Sequence, residues 1–259
     1  MSTTPESADL DGRVALVSGG GRGIGRAIAL ALAEDGADVA VSYRRDASAA
    51  KQTVEAIQAL GRRAAAYAAD MEDDEALVKL VDDVTGELGN VSILVNNAGI
   101  ASRGRSVQKT DPAELLRIVR VHALSPHRLC QLVLPGMREC PRGDIVMISS
   151  VATLHHAGGG APYNMGKAAM ESLAWTLAKE VKRYGIHVNI VAPGLVETEM
   201  GRRLVKATAG IDDLRKLDES SPFGRVCQPE DVANAVRFLV SSRASYITGE
   251  RLCVYGGPS

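Results

Sequence analysis

The sequence predicts an α/β fold: a single domain around a doubly wound parallel sheet of about seven strands, flanked by helices on both faces. Three observations lead there. Strand-like and helix-like stretches alternate over nearly all of the 259 residues, with no repeat and no low-complexity linker. A glycine-rich turn, Ser18-Gly19-Gly20-Gly21-Arg22-Gly23-Ile24-Gly25, joins an apolar run to an amphipathic one. Gly19, Asn96, Ser150 and Pro193 each fall just after a strand candidate, which gathers them along the edge where such sheets bind ligands.

The strand candidates are residues 13–18, 38–43, 63–69, 91–96, 144–149, 186–191 and 251–255. The first is apolar from Val14 to Val17 and is closed by the glycine turn. Beyond the turn, Ile24, Ala27, Ile28, Ala31 and Leu32 recur at helical spacing, and Gly36 ends that helix. Glycines let the backbone approach a pyrophosphate, and the helix N-terminus offers free N–H groups and a favourable dipole. The spacing is G-x-x-x-G-x-G, not the G-x-G-x-x-G of most dinucleotide-binding folds. A later helix opens at Asp111-Pro112-Ala113-Glu114, which supplies an N-cap, a proline at N1 and a capping-box glutamate at N3. Another runs from about residue 162 to 184, with Met170, Leu173, Ala174, Leu177, Ala178 and Val181 on one stripe and Gly185 as its stop. Residues 1–10 read as a loose tail, and 11–259 as one domain that includes a long, less regular segment at 199–220.

Tyr163-Asn164-Met165-Gly166-Lys167 puts a phenol and an ammonium four residues apart on one helix face. A free tyrosine has a pKa of about 10, and lowering it to about 7 takes roughly 4 kcal/mol. One positive charge about 4 Å away at an effective dielectric of about 20 supplies a similar amount, so Lys167 is expected to tune Tyr163. Ser150 precedes Tyr163 by thirteen residues, and a hydroxyl beside an acidified phenol polarises a carbonyl. Ser149 competes for that role, but neighbouring strand side chains point to opposite faces and the spacing favours Ser150. His155 and His156 raise a rival serine–histidine chemistry; no G-x-S-x-G elbow surrounds Ser150, which argues against acyl transfer.

On these motifs the chain resembles the short-chain dehydrogenase/reductase family almost end to end, and most closely its 3-oxoacyl-[acyl-carrier-protein] reductase branch. The glycine turn, Asn96-Asn97-Ala98-Gly99, Ser150, Tyr163 with Lys167, Pro193-Gly194 with Thr198, and the ending from Ser221-Pro222-Phe223-Gly224-Arg225 to Gly256-Gly257 carry the resemblance. It implies a Rossmann-type fold and a cofactor site made of Ser18, Gly19, Gly21, Arg22, Gly23, Ile24, Gly25, Tyr43, Arg44, Asp70, Asn97, Tyr163, Lys167, Pro193, Gly194, Val196 and Thr198. Within it Asn96 to Gly99 line the adenosine side, although Asn96 could equally cap the sheet. Asp70 either meets the adenine amine or caps the structure that follows it. Thr198 holds the nicotinamide carboxamide, and 199–220 forms a substrate lid whose charges could equally be a solvated helix face. Relatives also pair through helices spanning about 111–139 and 162–184, which implies a homotetramer or homodimer. Ala168, Ala169 and Ala174 suit close helix approach there, or packing on the chain's own sheet.

The second strand ends in Ser42-Tyr43-Arg44-Arg45, without the acid that holds a ribose 2′-OH in NAD-selective relatives. With Arg22, these guanidinium groups suit the 2′-phosphate of NADP(H), while NAD(H) stays open. Two positions depart from the family pattern. His122 stands where most relatives carry an Asn that holds a proton-relay water; it is expected to organise or replace that water and to add an inflection on the acid side of the pH–rate profile, or else to pack on its helix while backbone carbonyls hold the water. Tyr255 stands where many relatives have an acid.

Composition narrows the field further. Hydrophobic residues make up 46 % and charged residues 24 %, as in an ordinary globule, and a net charge of −1 provides no footprint for nucleic acid or a membrane surface. Only 3 % of residues are aromatic, too few for base stacking. Cys130, Cys140, Cys227 and Cys253 show no metal-ligand spacing and fit a reducing, cytoplasmic setting. The expected activity is reduction of a ketone or 3-oxoacyl thioester by NADPH, with Tyr163 as acid, Lys167 tuning it and Ser150 fixing the carbonyl. The alternatives are an NAD-dependent oxidation of a hydroxyacyl or hydroxysteroid alcohol, and a low-turnover dinucleotide sensor.

Overall fold

A computed structural model describes residues 9–257. Strands and helices alternate in the order β1 (Val14–Val17), α1 (Gly23–Glu34), β2 (Asp38–Tyr43), α2 (Ala47–Ala59), β3 (Ala64–Ala68), α3 (Asp74–Glu87) and β4 (Ile93–Asn96). After β4 come α4 (Pro112–Val119), a π-helical turn (Arg120–Leu124), α5 (Ser125–Met137), β5 (Gly143–Ile148), α6 (Ala152–His155) and α7 (Ala161–Val181). The chain closes with β6 (Ile186–Pro193), α8 (Glu199–Ala209), α9 (Pro229–Val240) and β7 (Arg251–Val254). All seven sequence-based strand candidates are present, with ends moved by a residue or two.

The strands form one parallel sheet in the order β3-β2-β1-β4-β5-β6-β7. The order runs outward from β1 to β3 and then restarts at β4, so β1 and β4 flank the switch point. Their C-terminal ends carry the glycine turn and the Asn96–Gly99 stretch, which places these side by side. Along β1 and β4 the side chains alternate between the two cores. Leu16 and Leu94 pack with Leu80, Val84, Leu129, Val133, Met170 and Leu177 of α3, α5 and α7. Val17 and Val95 pack on the other face with Ile28, Leu32, Val236 and Leu239 of α1 and α9. Helices cover both faces, which is why the strands read as continuous apolar runs.

Three details differ from the sequence reading. Leu10, assigned to a loose tail, is 1 % exposed and belongs to the core on the α1 side, its amide bonded to the Asp35 carbonyl. This leucine in a mostly polar stretch thus anchors the chain's entry; residues 1–8 of that tail lie outside the described residues. Asp111 does cap α4 by accepting from Ala113 N, but Glu114 Oε1 accepts from Arg103 N at 2.7 Å and so ties down the loop after β4. Ala174 is buried against the sheet, whereas Ala168 and Ala169 are exposed.

The rod from α4 to α5 is interrupted by the π-helical turn, and the cause is local. Pro126 has no amide proton for the His122 carbonyl four residues back, and its ring crowds that carbonyl. The turn widens, Ser125 N bonds back to Arg120 O, and His122 is carried inward. Among the described residues no helix is long and apolar enough to cross a membrane.

Candidate active site

The glycine turn is shaped by close approach. Gly19 sits at φ +66, and a Cβ on Gly25 would stand 2.3 Å from the Gly19 carbonyl oxygen and 2.5 Å from Asn97 Nδ2. Such contacts leave no room for any side chain. No side chain caps the N-terminus of α1, so its first amides face the turn unengaged by a cap. A cradle lined by backbone, with uncapped helix amides at its floor, fits a dinucleotide pyrophosphate. Gly21 packs on Ala50, and Gly23 on the Thr198 side chain, which joins the turn to the chain after β6.

Two predicted cofactor residues brace this cradle from behind. Ser18 is buried, and its hydroxyl accepts from Asn97 N and Ala98 N, both at 3.0 Å, while donating to Val95 O. Asn97 Nδ2 donates to Ser18 O at 2.9 Å and Gly19 O at 3.2 Å. Their side chains therefore hold β1 to β4 at the edge of the cradle. Asn96 is buried deeper still, with Nδ2 3.3 Å from Met147 Sδ and 3.7 Å from Cys130 Sγ.

Tyr43 is half-buried at the end of β2, followed by exposed Arg44. Arg44 lies 3.6 Å from Glu72, which Arg117 also holds at 2.8 Å. Arg22 pairs with Glu199 of α8 at 2.6 Å. Two of the three guanidinium groups expected to greet a phosphate thus already have carboxylate partners. Asp70 accepts from Glu72 N at 3.0 Å and shapes the turn after β3, while Asp73 is the residue that caps α3. Half-buried Ile24 opens α1, and Val196 is buried in a bridge to Cys227. Pro193 ends β6, and Gly194 touches Tyr255, whose ring meets His155 edge-on at 6.4 Å. Thr198 caps α8 through Gly201 N at 3.1 Å.

At the C-terminal end of β5 the chain turns so that its two serines separate. Ser149 points into the core and bonds Glu171 at 2.5 Å. Ser150 accepts from Ala152 N, and its hydroxyl is close enough to the Tyr163 phenol to favour the phenolate. Among the described residues neither His155 nor His156 is bonded to Ser150, so the serine–histidine alternative has no geometry behind it. Burial pushes the Tyr163 phenol up, opposed by the nearby Ser150 hydroxyl. Lys167 is 3 % exposed; its Nζ lies 5.8 Å from the Tyr163 ring centroid and donates to Ile148 O at 2.7 Å. Burial lowers it to about 7, with Glu171 opposing. The Lys167 ammonium is directed at a backbone carbonyl, and in this arrangement burial outweighs what would lower the Tyr163 phenol.

His122 comes into the same cluster. Its ring stands edge-on to Tyr163, centroids 5.2 Å apart and planes at 77°. Nε2 lies 2.8 Å from Ile100 O and 3.3 Å from Ile100 N, and buried Nδ1 has no hydrogen-bond partner. Gly99 and Gly166 clear its space: a Cβ on either would approach the ring or its Cβ to within 2.8 or 3.0 Å. Burial and the nearby Lys167 hold His122 down to about 3, far below an ordinary imidazole.

Sequence reasoning missed Glu171, Thr153 and Arg251, which form a buried network behind Ser150. A signal existed: Tyr163, Lys167 and Glu171 follow one another at intervals of four, a single helix face.

A family model described as enoyl-(acyl carrier protein) reductase matches residues 19–259. The 3-oxoacyl-[acyl-carrier-protein] reductase FabG of Pseudomonas aeruginosa is 38 % identical over 248 residues, covering 96 % of this chain and 98 % of that protein. A 7α-hydroxysteroid dehydrogenase solved with NADH and 7-oxo glycochenodeoxycholic acid superposes with a TM-score of 0.89 at 35 % identity, over 99 % and 98 % of the two chains. A short-chain dehydrogenase from Burkholderia cenocepacia in complex with NADP does so at 0.86 and 36 %, over 96 % and 98 %. With the sheet order, the turn and the cluster around Tyr163 in agreement with such relatives, the chain belongs to the short-chain dehydrogenase/reductase family and is most like its 3-oxoacyl-[acyl-carrier-protein] reductases.

Proposed function

We propose that this protein reduces a ketone or 3-oxoacyl thioester to a secondary alcohol with NADPH. The observation that carries the proposal is the placement of Ser150 after β5 and of Tyr163 and Lys167 on one face of α7, at the same sheet edge as the glycine cradle. A nicotinamide dinucleotide bound there supplies the hydride. Ser150 orients the substrate carbonyl by donating to its oxygen, and Tyr163 delivers the proton to that oxygen as charge develops. Lys167, one turn further along α7, holds positive charge near the phenol and, with a dinucleotide bound, would hold it near the ribose. The arginines at 22 and 44 favour a 2′-phosphate once they exchange their carboxylate partners for it.

Residues 199–220 are proposed as the substrate lid. Met200 and Leu204 of α8 are exposed, as is Leu154 on α6. An apolar acyl or ring substrate would cover such side chains. A homotetramer, built through α5 and α7, is proposed on the likeness to FabG; a groove between these helices, about 370 Å³ in volume, is lined by His127, Leu134, Leu173 and Leu177.

The second reading is oxidation of a hydroxysteroid or hydroxyacyl alcohol with NAD. It is favoured by the hydroxysteroid relative solved with NADH, and by the prior pairing of Arg22 and Arg44 with carboxylates. Steady-state assays of the purified protein on 3-oxoacyl thioesters, simple ketones and secondary alcohols, each with both cofactors, decide between the two. Turnover confined to alcohols with NAD would replace the first reading with the second.

A further inference from the structure

Three consecutive residues at the end of β5 are gripped by one face of α7 and its neighbours. Lys167 Nζ donates to Ile148 O at 2.7 Å. Ser149 Oγ donates to Glu171 Oε1 at 2.5 Å. The Thr153 hydroxyl lies 2.9 Å from Ser150 O and 3.0 Å from Glu171 Oε1, and accepts from Arg251 at 2.8 Å. With one proton to give, Thr153 bonds one of those two oxygens at a time. Arg251, from β7, also reaches Glu171 Oε2 at 3.4 Å. Glu171 itself is 3 % exposed. A carboxylate so deep needs cationic partners, and the two within its surroundings are Arg251 and, one helical turn back, Lys167.

We propose that Glu171 is a positioning residue for the reaction: through Ser149 it holds the strand end that presents Ser150, and it is the counter-charge of Lys167. Arg251 competes for that carboxylate, so the last strand of the sheet sets how much of its field Lys167 feels. The proposal rests on the functional reading above only for its catalytic meaning; the geometry and the charge coupling stand apart from it.

The groups that face Lys167 define the expected signs. Tyr163 and Glu171 share its helix, His122 faces it from the π-helical turn, and Arg251 stands behind Glu171. His122 is neutral above about pH 3, and Tyr163 is a neutral phenol at neutral pH. Glu171 is thus the anion that keeps Lys167 protonated, against burial.

The test follows Lys167 directly. Protein carrying ¹³C at the lysine ε-carbons is titrated by NMR, with the Lys167 resonance identified by its loss in Lys167→Met. Wild type is expected to titrate near 7. Glu171→Gln keeps the hydrogen-bonding shape and removes the charge, and is expected to lower the midpoint by on the order of one pH unit or more. Arg251→Gln removes the competing cation and is expected to raise it by on the order of one unit. In parallel, the alkaline limb of the pH–rate profile should move in the same two directions. A passive packing role would move neither midpoint, and that result, or shifts of one sign in both variants, overturns the proposal. Should Glu171→Gln fail to fold, an unmoved midpoint in Arg251→Gln alone overturns it. Midpoints that shift as stated in a protein with no turnover on any substrate would sink the functional reading and leave the coupling standing. Loss of turnover in Tyr163→Phe with unshifted midpoints would do the reverse.

Discussion

The His122 ring stands edge-on to the Tyr163 ring, 5.2 Å between centroids, while its Nε2 is held against Ile100 O at 2.8 Å. An imidazole so placed is a neutral wall of the site and not a titrating partner. Burial and Lys167 keep it near 3, against an ordinary value of about 6.5. The folded protein refuses a proton that the unfolded chain accepts, so this contribution to stability is complete above about pH 6.5 and is lost as pH falls toward about 3. The loss is about 1.4 kcal/mol per pH unit in that window, or about 3 kcal/mol by pH 4.5.

His122→Asn removes the titrating ring. Denaturant midpoints at pH 7 and pH 4.5 should draw closer in the variant by that amount. Wild-type turnover, meanwhile, should show no inflection near pH 6.5 assignable to His122. An inflection there that disappears in His122→Asn would show that the ring is wetter and more basic than its packing implies.

Tyr163→Phe keeps the edge-on contact with His122 and takes away the transferable proton. Turnover should drop by a factor on the order of 10² or more with NADPH binding retained, as read by cofactor fluorescence. Retention of more than about a tenth of the activity would remove Tyr163 from the acid role.

Cofactor preference turns on arginines that are already engaged. Arg44→Asp should shift the ratio of kcat/KM for NADPH over NADH toward NADH by about tenfold or more, the worth of one charge-assisted hydrogen bond. Glu199→Gln frees Arg22 from its exposed partner and should tighten NADPH binding by no more than about fivefold, because surface ion pairs are weak. Equal efficiency with both cofactors in the wild type would dismiss the role given to these arginines.

Gly25→Ala would drive a methyl group into the Gly19 carbonyl and the Asn97 amide. Both are fixed, one as backbone and the other by its bonds to Ser18 O and Gly19 O, so the turn must shift. A cost of about 1–3 kcal/mol is expected, with nucleotide binding weakened in the same variant. Thermal unfolding with and without NADPH separates the two effects, and an unchanged Tm would mean that the turn is looser than these distances.

Assembly is checked by light scattering at micromolar concentration. A tetramer of 27.3 kDa chains is expected. A bulky substitution on the open face of α7, Ala169→Arg, should lower the measured mass; a monomeric wild type would end the proposal.

The seven strands, the glycine turn and the Tyr163–Lys167 face were legible because they depend on local rules. Apolar runs mark strands buried on both faces, glycines mark backbone contacts, and a spacing of four marks one helix face. The partners of these groups were not legible. Ser18 and Asn97 bond each other across β1 and β4, although they are about eighty positions apart in the chain. Leu10 became core because α1 and the sheet left an apolar space for it, and Glu114 abandoned its own helix start for Arg103. Lys167 found Ile148 O and Glu171, and His122 lost its basicity, only once folding removed both from water. Sequence by itself determined which backbone elements form and which reactive side chains exist; only the tertiary structure decided their charges and partners, since desolvation and contacts between distant segments arise when the elements pack.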